Sequence, residues 1–168
     1  IIDLCADLST FVEGRRLEDD GNGLVRLQNG ARGVLYASQI STGEENPFRI
    51  RVYGEKAGLE WRQEEPNTLI VKWAQKHREI RRTGVGDLSE TSIAHTRLPP
   101  GHPEGFIEAF ANLYRNYAAA LQARLDSKEK SSEYLDFPTV DDGVRGLSFI
   151  SACVESSNSI HKWTKMEE

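Results

Sequence analysis

The sequence predicts an α+β fold: an open, mainly antiparallel sheet with helices packed on one face and the other face free for oligomerisation. Three observations carry that expectation. Apolar residues recur with period two through much of the first half of the chain. From Pro103 onward they recur every three or four residues. Strand-like segments come first and helical ones after, rather than alternating as in a parallel βαβ sheet.

The elements follow in order. Ile1 to Leu8 reads as structure from its first residue. A natural amino terminus usually carries a few loose polar residues. A chain that opens on Ile1 is therefore expected to be a fragment of a longer protein. Leu24 to Gln28 is a short alternating run bounded by Gly21-Asn22-Gly23 and Asn29-Gly30, and Val34 to Ile40 follows it. Asn-Gly is a strong hairpin signal, so Asn29-Gly30-Ala31-Arg32-Gly33 is expected to close an antiparallel pair.

Phe48 to Tyr53 alternates cleanly. Phe48, Ile50 and Val52 point one way, and Arg49, Arg51 and Tyr53 the other. Gly54 to Gly58 turns the chain into Leu59-Glu60-Trp61-Arg62. Leu69 to Trp73 and His77 to Arg82 are two further strands, and Thr83 to Pro100 reads mainly as loop. Trp61, Trp73 and Tyr53 are bulky enough, beside Arg49 and Arg51, to suggest a dimer through the helix-free face. The plainer reading buries both tryptophans in the core.

The first long helix runs from Pro103 to Leu125, with Phe106, Phe110, Leu113, Tyr117 and Leu121 as its stripe. Pro103 suits a first helical position, where a missing N–H costs nothing. Asp126 to Glu133 reads as a charged, exposed linker. Thr139 caps a second helix, with Asp142 at the reciprocal capping-box position. Val140, Val144, Leu147, Ile150, Cys153 and Val154 form the second stripe. Ile160 to Lys165 can add a last short strand. No internal repeat is present, so residues 1–168 are expected to form one α+β domain.

Charge and composition exclude several classes. Among 168 residues, 21 Lys+Arg against 26 Asp+Glu leave a formal charge of −5. A general nucleic-acid or anionic-membrane binder needs a basic face instead. No apolar stretch is long enough for a membrane span, and no signal peptide is visible. The two cysteines, Cys5 and Cys153, lack CxxC spacing and sit in apolar runs. They are expected to be reduced, buried thiols of a cytoplasmic protein.

The search for chemistry is mostly negative. Gly21-Asn22-Gly23 and Gly84-Val85-Gly86 both lack the third glycine of a dinucleotide loop, and there is no Walker A loop. No cofactor site is expected in this chain. The four histidines, His77, His95, His102 and His161, are scattered, and no HExxH or nucleophile elbow occurs. No metal site is expected. The acid pairs Asp19-Asp20, Glu44-Glu45, Glu64-Glu65 and Asp141-Asp142 read as solvated turns or helix starts. One histidine stands out. His102 lies immediately before the expected helix, where free N–H groups keep an imidazole neutral and able to bond a substrate hydroxyl. Its plainer role is to cap that helix.

Three segments resemble one family. Arg49-Ile50-Arg51-Val52-Tyr53-Gly54-Glu55-Lys56-Ala57-Gly58-Leu59-Glu60-Trp61 resembles a strand–turn–strand of the Gfo/Idh/MocA oxidoreductases, the group of glucose–fructose oxidoreductase and inositol dehydrogenase. His102-Pro103-Glu104-Gly105-Phe106-Ile107-Glu108-Ala109-Phe110 resembles a helix opening of one of its branches. Asp136-Phe137-Pro138-Thr139-Val140-Asp141-Asp142-Gly143 resembles its final helix start. All three occur in the family's order.

The resemblance implies a two-domain parent. A Rossmann domain, absent from this sequence, would hold NAD or NADP. This chain would be the carboxy-terminal domain that walls the substrate site and builds homo-oligomers through its sheet. The implied activity is oxidation or reduction of a CH–OH group on a sugar, inositol or related polyol. The family's catalytic lysine and its proton-transfer pair have no counterpart here, so no catalytic residue carries over and the isolated chain is expected to be inactive. The loop Ser41-Thr42-Gly43-Glu44-Glu45-Asn46-Pro47 resembles in position the family loop that reaches the substrate, and His102 borders the same cleft. Glu45, Asn46 and His102 are therefore the expected substrate contacts, since each polyol hydroxyl wants a paired donor and acceptor.

Two other classes compete. A stand-alone binding or oligomerisation module would use the face of Arg49, Arg51 and Tyr53. An independent small-molecule binder or isomerase would need a convergent acid–base set, and spacing brings none together.

Overall fold

Strand pairing in this chain starts from turn chemistry. In the computed structural model, which describes residues 1–127 and 136–166, Gly30 takes a φ of +88° and its amide donates to the Leu27 carbonyl at 2.9 Å. That is the hairpin the Asn29-Gly30 pair predicts. It joins β2 (Asp20–Arg26) to β3 (Arg32–Ser38), and β1 (Asp3–Ser9) lies on the other side of β2. The two-residue β8 (Thr164–Lys165) pairs with Asp3 and Leu4 and completes an antiparallel ladder, β3-β2-β1-β8.

Gly21-Asn22-Gly23 is not the strand boundary that its composition suggests. It lies inside β2, with Gly21 between Leu8 and Ala37 and Gly23 between Ala6 and Leu35. Pairing on both sides outweighs the poor strand propensity of glycine and asparagine.

The chain divides into two compact units, and the expected antiparallel sheet is correspondingly divided into two. The first unit, Ile1–Glu44 with the segment from Pro138 onward, holds the ladder just described and α3 (Val140–Asn158). Thr139 caps α3 as expected. Its hydroxyl accepts from the Asp142 amide, and the Asp142 carboxylate takes the Thr139 amide at 2.8 Å. The packing face meets the expected stripe at Cys153 but is otherwise displaced from it. Val140 and Leu147 are 82% and 68% exposed, whereas Ala152 and Ser156 are buried. Small residues let the helix approach the strands, and Phe149, Ala152 and Cys153 close on Leu4, Ala6, Val25 and Leu27. Both cysteines are unpaired, and they are half-buried rather than fully buried.

β8 is too short to cover β1. Beyond it, the amides of Ala6 and Leu8 donate to the hydroxyls of Ser156 and Ser157 at 3.0 and 2.9 Å. Asp19 departs from the reading of acid pairs as solvated turns, for it is buried. Its carboxylate accepts the amides of Phe11 and Val12 at 2.8 and 2.9 Å, which holds its pKa below the usual carboxylate value.

The second unit, Glu45–Phe137, carries β4 (Arg49–Tyr53), β5 (Ala57–Arg62), β6 (Thr68–Trp73) and β7 (Glu79–Arg82) in that spatial order, all antiparallel. Ile50 faces Trp61, which faces Leu69. Trp61 and Trp73 therefore share the face of Phe48, Ile50 and Val52, while Tyr53 points the other way with Arg49 and Arg51. The three aromatics do not form one patch.

The stretch read as loop, Thr83 to Pro100, contains α1 (Glu90–His95), capped by the Ser89 hydroxyl on the Ser92 amide. α2 (Phe106–Leu125) begins three residues after Pro103. Glu108 reaches back to the Gly105 amide at 2.8 Å and makes Gly105 the cap. Pro103 is therefore outside the helix. The buried residues of α2 are Asn112, Asn116 and Ala120, while Phe106, Tyr117 and Leu121 of the apolar stripe stay exposed. Residues 128–133 of the expected linker lie outside the described residues.

Candidate functional site

The second unit builds its polar machinery on one side of α2. The segment Ala94–Leu98 lies along that side, and helix side chains satisfy its backbone. Arg115 donates to the Ala94 carbonyl at 2.9 Å, and Asn112 to the His95 carbonyl at 2.9 Å. Just before the helix, the buried carboxylate of Glu104 accepts the amides of both Arg97 and Leu98. Asn112 also accepts the Arg97 guanidinium at 2.7 Å. Asn116, with no exposed surface, takes Arg115 on its oxygen at 3.0 and 3.1 Å and donates to the Asp136 carbonyl at 3.1 Å. Each buried polar atom named here is paired, as low local dielectric requires.

His95 belongs to this network. Its Nδ1 sits 2.7 Å from the Thr91 carbonyl, so it carries the proton. Its Nε2 faces the Asp136 carboxylate at 3.3 Å and the Asn116 amide nitrogen at 3.5 Å. Protonation would turn the Asp136 contact into an ion pair. His95 lines a cavity of about 850 Å³, together with Phe48, Trp61, Gln63, Asn67 and Phe106.

The expected substrate residues do not line that cavity. Glu45 and Asn46 are exposed, and Asn46 holds a left-handed φ of +56°. His102 is exposed too, but it neither precedes α2 directly nor caps it. It closes a turn in which its amide and its Nδ1 both meet the Pro99 carbonyl, at 3.2 and 3.1 Å. In the neutral ring this fixes the proton on Nδ1 and leaves Nε2 as an acceptor for a hydroxyl.

Two carboxamides tie these loops down. Gln63 Nε2 donates to the Asn46 carbonyl at 3.2 Å, and Asn67 Nδ2 to the His102 carbonyl at 3.3 Å. Both donors belong to the single turn between β5 and β6. Nothing in the sequence marks them, because a carboxamide in a turn has no spacing rule. The acid at position 136 likewise gives no sign that it meets a histidine 41 residues earlier.

Across the strands of the same unit, Glu60 is buried between Arg62, at 2.6 Å, and Lys72. Hydrogen bonds from Lys72 and Arg62 hold its carboxyl down at about 2. This is a structural ion cluster on the face opposite Trp61.

Neither glycine pair makes a dinucleotide cradle. Gly21 and Gly23 are paired strand residues. Gly84 and Gly86, at φ +73° and +80°, lead from β7 into α1, but that helix is six residues long and its strand belongs to an antiparallel ladder. The phosphate-binding geometry needs a parallel strand, a tight turn and a full helix. These residues do not fit a nicotinamide dinucleotide. Among the described residues, no group of three His, Cys, Asp or Glu side chains is arranged to hold a metal, and no helix is long and apolar enough to cross a membrane.

The family model for the oxidoreductase family, C-terminal alpha/beta domain (Gfo/Idh/MocA), matches residues 6–166. An uncharacterized oxidoreductase of Bacillus subtilis, YfiI, is 33% identical over 99% of this chain and 43% of its own. The crystal structure of an oxidoreductase from Sinorhizobium meliloti superposes with a TM-score of 0.89 at 38% identity, over 97% of this chain and 46% of that one. An inositol dehydrogenase homolog from Azotobacter vinelandii, complexed with NADH and myo-inositol, gives 0.89 at 31%, over 98% and 44%. The chain thus spans less than half the length of these relatives.

Proposed function

The chain belongs to the Gfo/Idh/MocA oxidoreductases as their carboxy-terminal α/β domain, and from that premise we propose that it is the substrate-binding and oligomerisation half of an NAD(P)-dependent enzyme acting on a sugar, inositol or related polyol. The substrate class rests on one observation, the likeness along nearly the whole chain to a homolog that holds NADH and myo-inositol. Residues 1–168 work as one domain in this reading.

When bound, the nicotinamide carries the hydride, and the rest of the parent supplies its site. The residues of this chain recognise hydroxyls. Nε2 of His102 accepts from one hydroxyl, and the Glu45 carboxylate and Asn46 carboxamide bracket another. Because the rest of the parent positions the hydride carrier, the 168-residue chain alone is inactive in this reading.

Assembly uses the helix-free face of the second unit. Arg49, Arg51, Tyr53 and Ile80 all point that way and are exposed. Arginine and tyrosine are favoured at protein interfaces, and the partner is a second copy. The unpaired cysteines suit a reducing, cytoplasmic setting.

The test is turnover by the full-length protein. Reduced nicotinamide is followed with NAD⁺ or NADP⁺ and a panel of cyclic polyols and aldoses, myo-inositol included. Polyol-dependent reduction is expected, with H102A raising KM. Turnover by the 168-residue chain alone, or failure of every polyol and sugar in the panel, would overturn the reading.

A further inference from the structure

Resting on the reading that Asn46 and His102 meet the substrate, we propose that Gln63 and Asn67 are positioning residues that hold both substrate loops on one anchor, the β5–β6 turn. The two loops lie more than fifty residues apart in the chain, yet each has its carbonyl tied to the same five-residue turn, Gln63 to Asn46 and Asn67 to His102.

The turn is itself fixed. Trp61 Nε1 donates to the Pro66 carbonyl at 2.9 Å. The amides of Glu65 and Thr68 close it at 3.2 and 3.0 Å, and the Thr83 amide binds the Asn67 carbonyl at 3.2 Å. Pro66 sits so close to the start of α2 that a Cβ added at Gly105 would lie 3.2 Å from its Cγ. The loops it holds are shaped locally as well. Asn46 keeps a left-handed backbone, which persists in a non-glycine residue where surroundings enforce it. His102 closes a turn on Pro99.

The side chains suit the task. Gln63 and Asn67 are half-buried, whereas Glu64 and Glu65 between them are exposed. A carboxamide donates to a carbonyl without placing a charge beside the hydroxyls to be recognised.

Gln63→Glu and Asn67→Asp keep size but replace the donor with an acceptor that repels the loop carbonyl. In the full-length protein, amide exchange is expected to accelerate about fivefold at Glu45 and Asn46 in the first variant and at Gly101 and His102 in the second, the scale of one lost hydrogen bond. KM for the best polyol of the panel should rise by a similar factor, with kcat and NADH affinity unchanged. Gln63→Asn and Asn67→Gln keep a neutral N–H donor and should leave both readouts nearer the parent values than the acid variants do. Unchanged exchange in both loops sinks the anchor, whatever His102 does. Equal losses of kcat and melting temperature with KM unchanged reduce both residues to a structural role and overturn the proposal. Accelerated exchange with KM unmoved in H102A and in Asn46→Ala sinks instead the substrate reading on which it rests.

Discussion

Ser156 of α3 accepts the backbone amide of Ala6 in β1 at 3.0 Å. Ser157 takes the next outward amide, Leu8, in the same way. A helix end thus closes a sheet edge that β8 leaves open after two residues. Open edges invite pairing with other chains, so hydroxyls in this position protect the fold as well as stabilise it.

The double variant Ser156→Ala/Ser157→Ala should therefore lose stability, by about 1–3 kcal/mol for each donor left buried without a partner. It should also aggregate faster on partial unfolding. Urea titration with light scattering checks both. A variant as stable and as soluble as the parent would show that water satisfies these amides.

Asn116 offers a cleaner test of polar burial. Asn116→Ala removes the acceptor for Arg115 and the donor to Asp136, and should cost about 1–3 kcal/mol. Asn116→Leu restores the volume and not the bonds, so it should not recover the loss. Chemical denaturation of both variants decides, and recovery by leucine would assign the site to packing.

That network also marks where the sequence stops being legible. Strand alternation was readable because successive side chains of a strand point to opposite faces, and Phe48, Ile50 and Val52 alternate with Arg49, Arg51 and Tyr53, although the apolar face of β4 stays exposed. The Thr139–Asp142 cap was readable because it is local. The faces on which α2 and α3 pack were not. Their apolar stripes are plain in the sequence, yet the buried positions are Asn112, Asn116, Ala120, Ala152 and Ser156. Periodicity identifies an apolar side, and the tertiary partner decides which side is covered. Of the candidate site, the sequence pointed to the loops of Asn46 and His102. It was silent on Gln63 and Asn67, which hold them.

Glu60 gives the pH prediction. Its carboxyl lies at about 2 in the fold against 4.5 ordinarily. A depressed folded pKa contributes stability above the unfolded value and loses it as pH falls through the folded one. Stability should decline between about 4.5 and about 2 for this group. Glu60→Gln should lower stability at neutral pH, where it leaves Lys72 and Arg62 unpaired, and should flatten that acid slope. Denaturant midpoints across the window measure both, and an unchanged slope would place the acid sensitivity elsewhere.

Two glycines should respond with opposite signs. A Cβ at Gly33 would lie 2.6 Å from Val25 Cγ2, at the first unit's core, so Gly33→Ala should destabilise. Gly146 sits inside α3 with nothing within 4 Å of its would-be Cβ, and Gly146→Ala should stabilise by about 0.5–1 kcal/mol. Thermal melts of the pair are the measurement, and equal signs would contradict this account of the packing.

The shared tether at the β5–β6 turn bears on anyone who would retune this scaffold. Transplanting the Asn46 segment from a relative, without residues 63–67, would deliver a loop to a mooring cut for another. Libraries that vary loop and turn jointly should yield new selectivities more often than those that vary either alone.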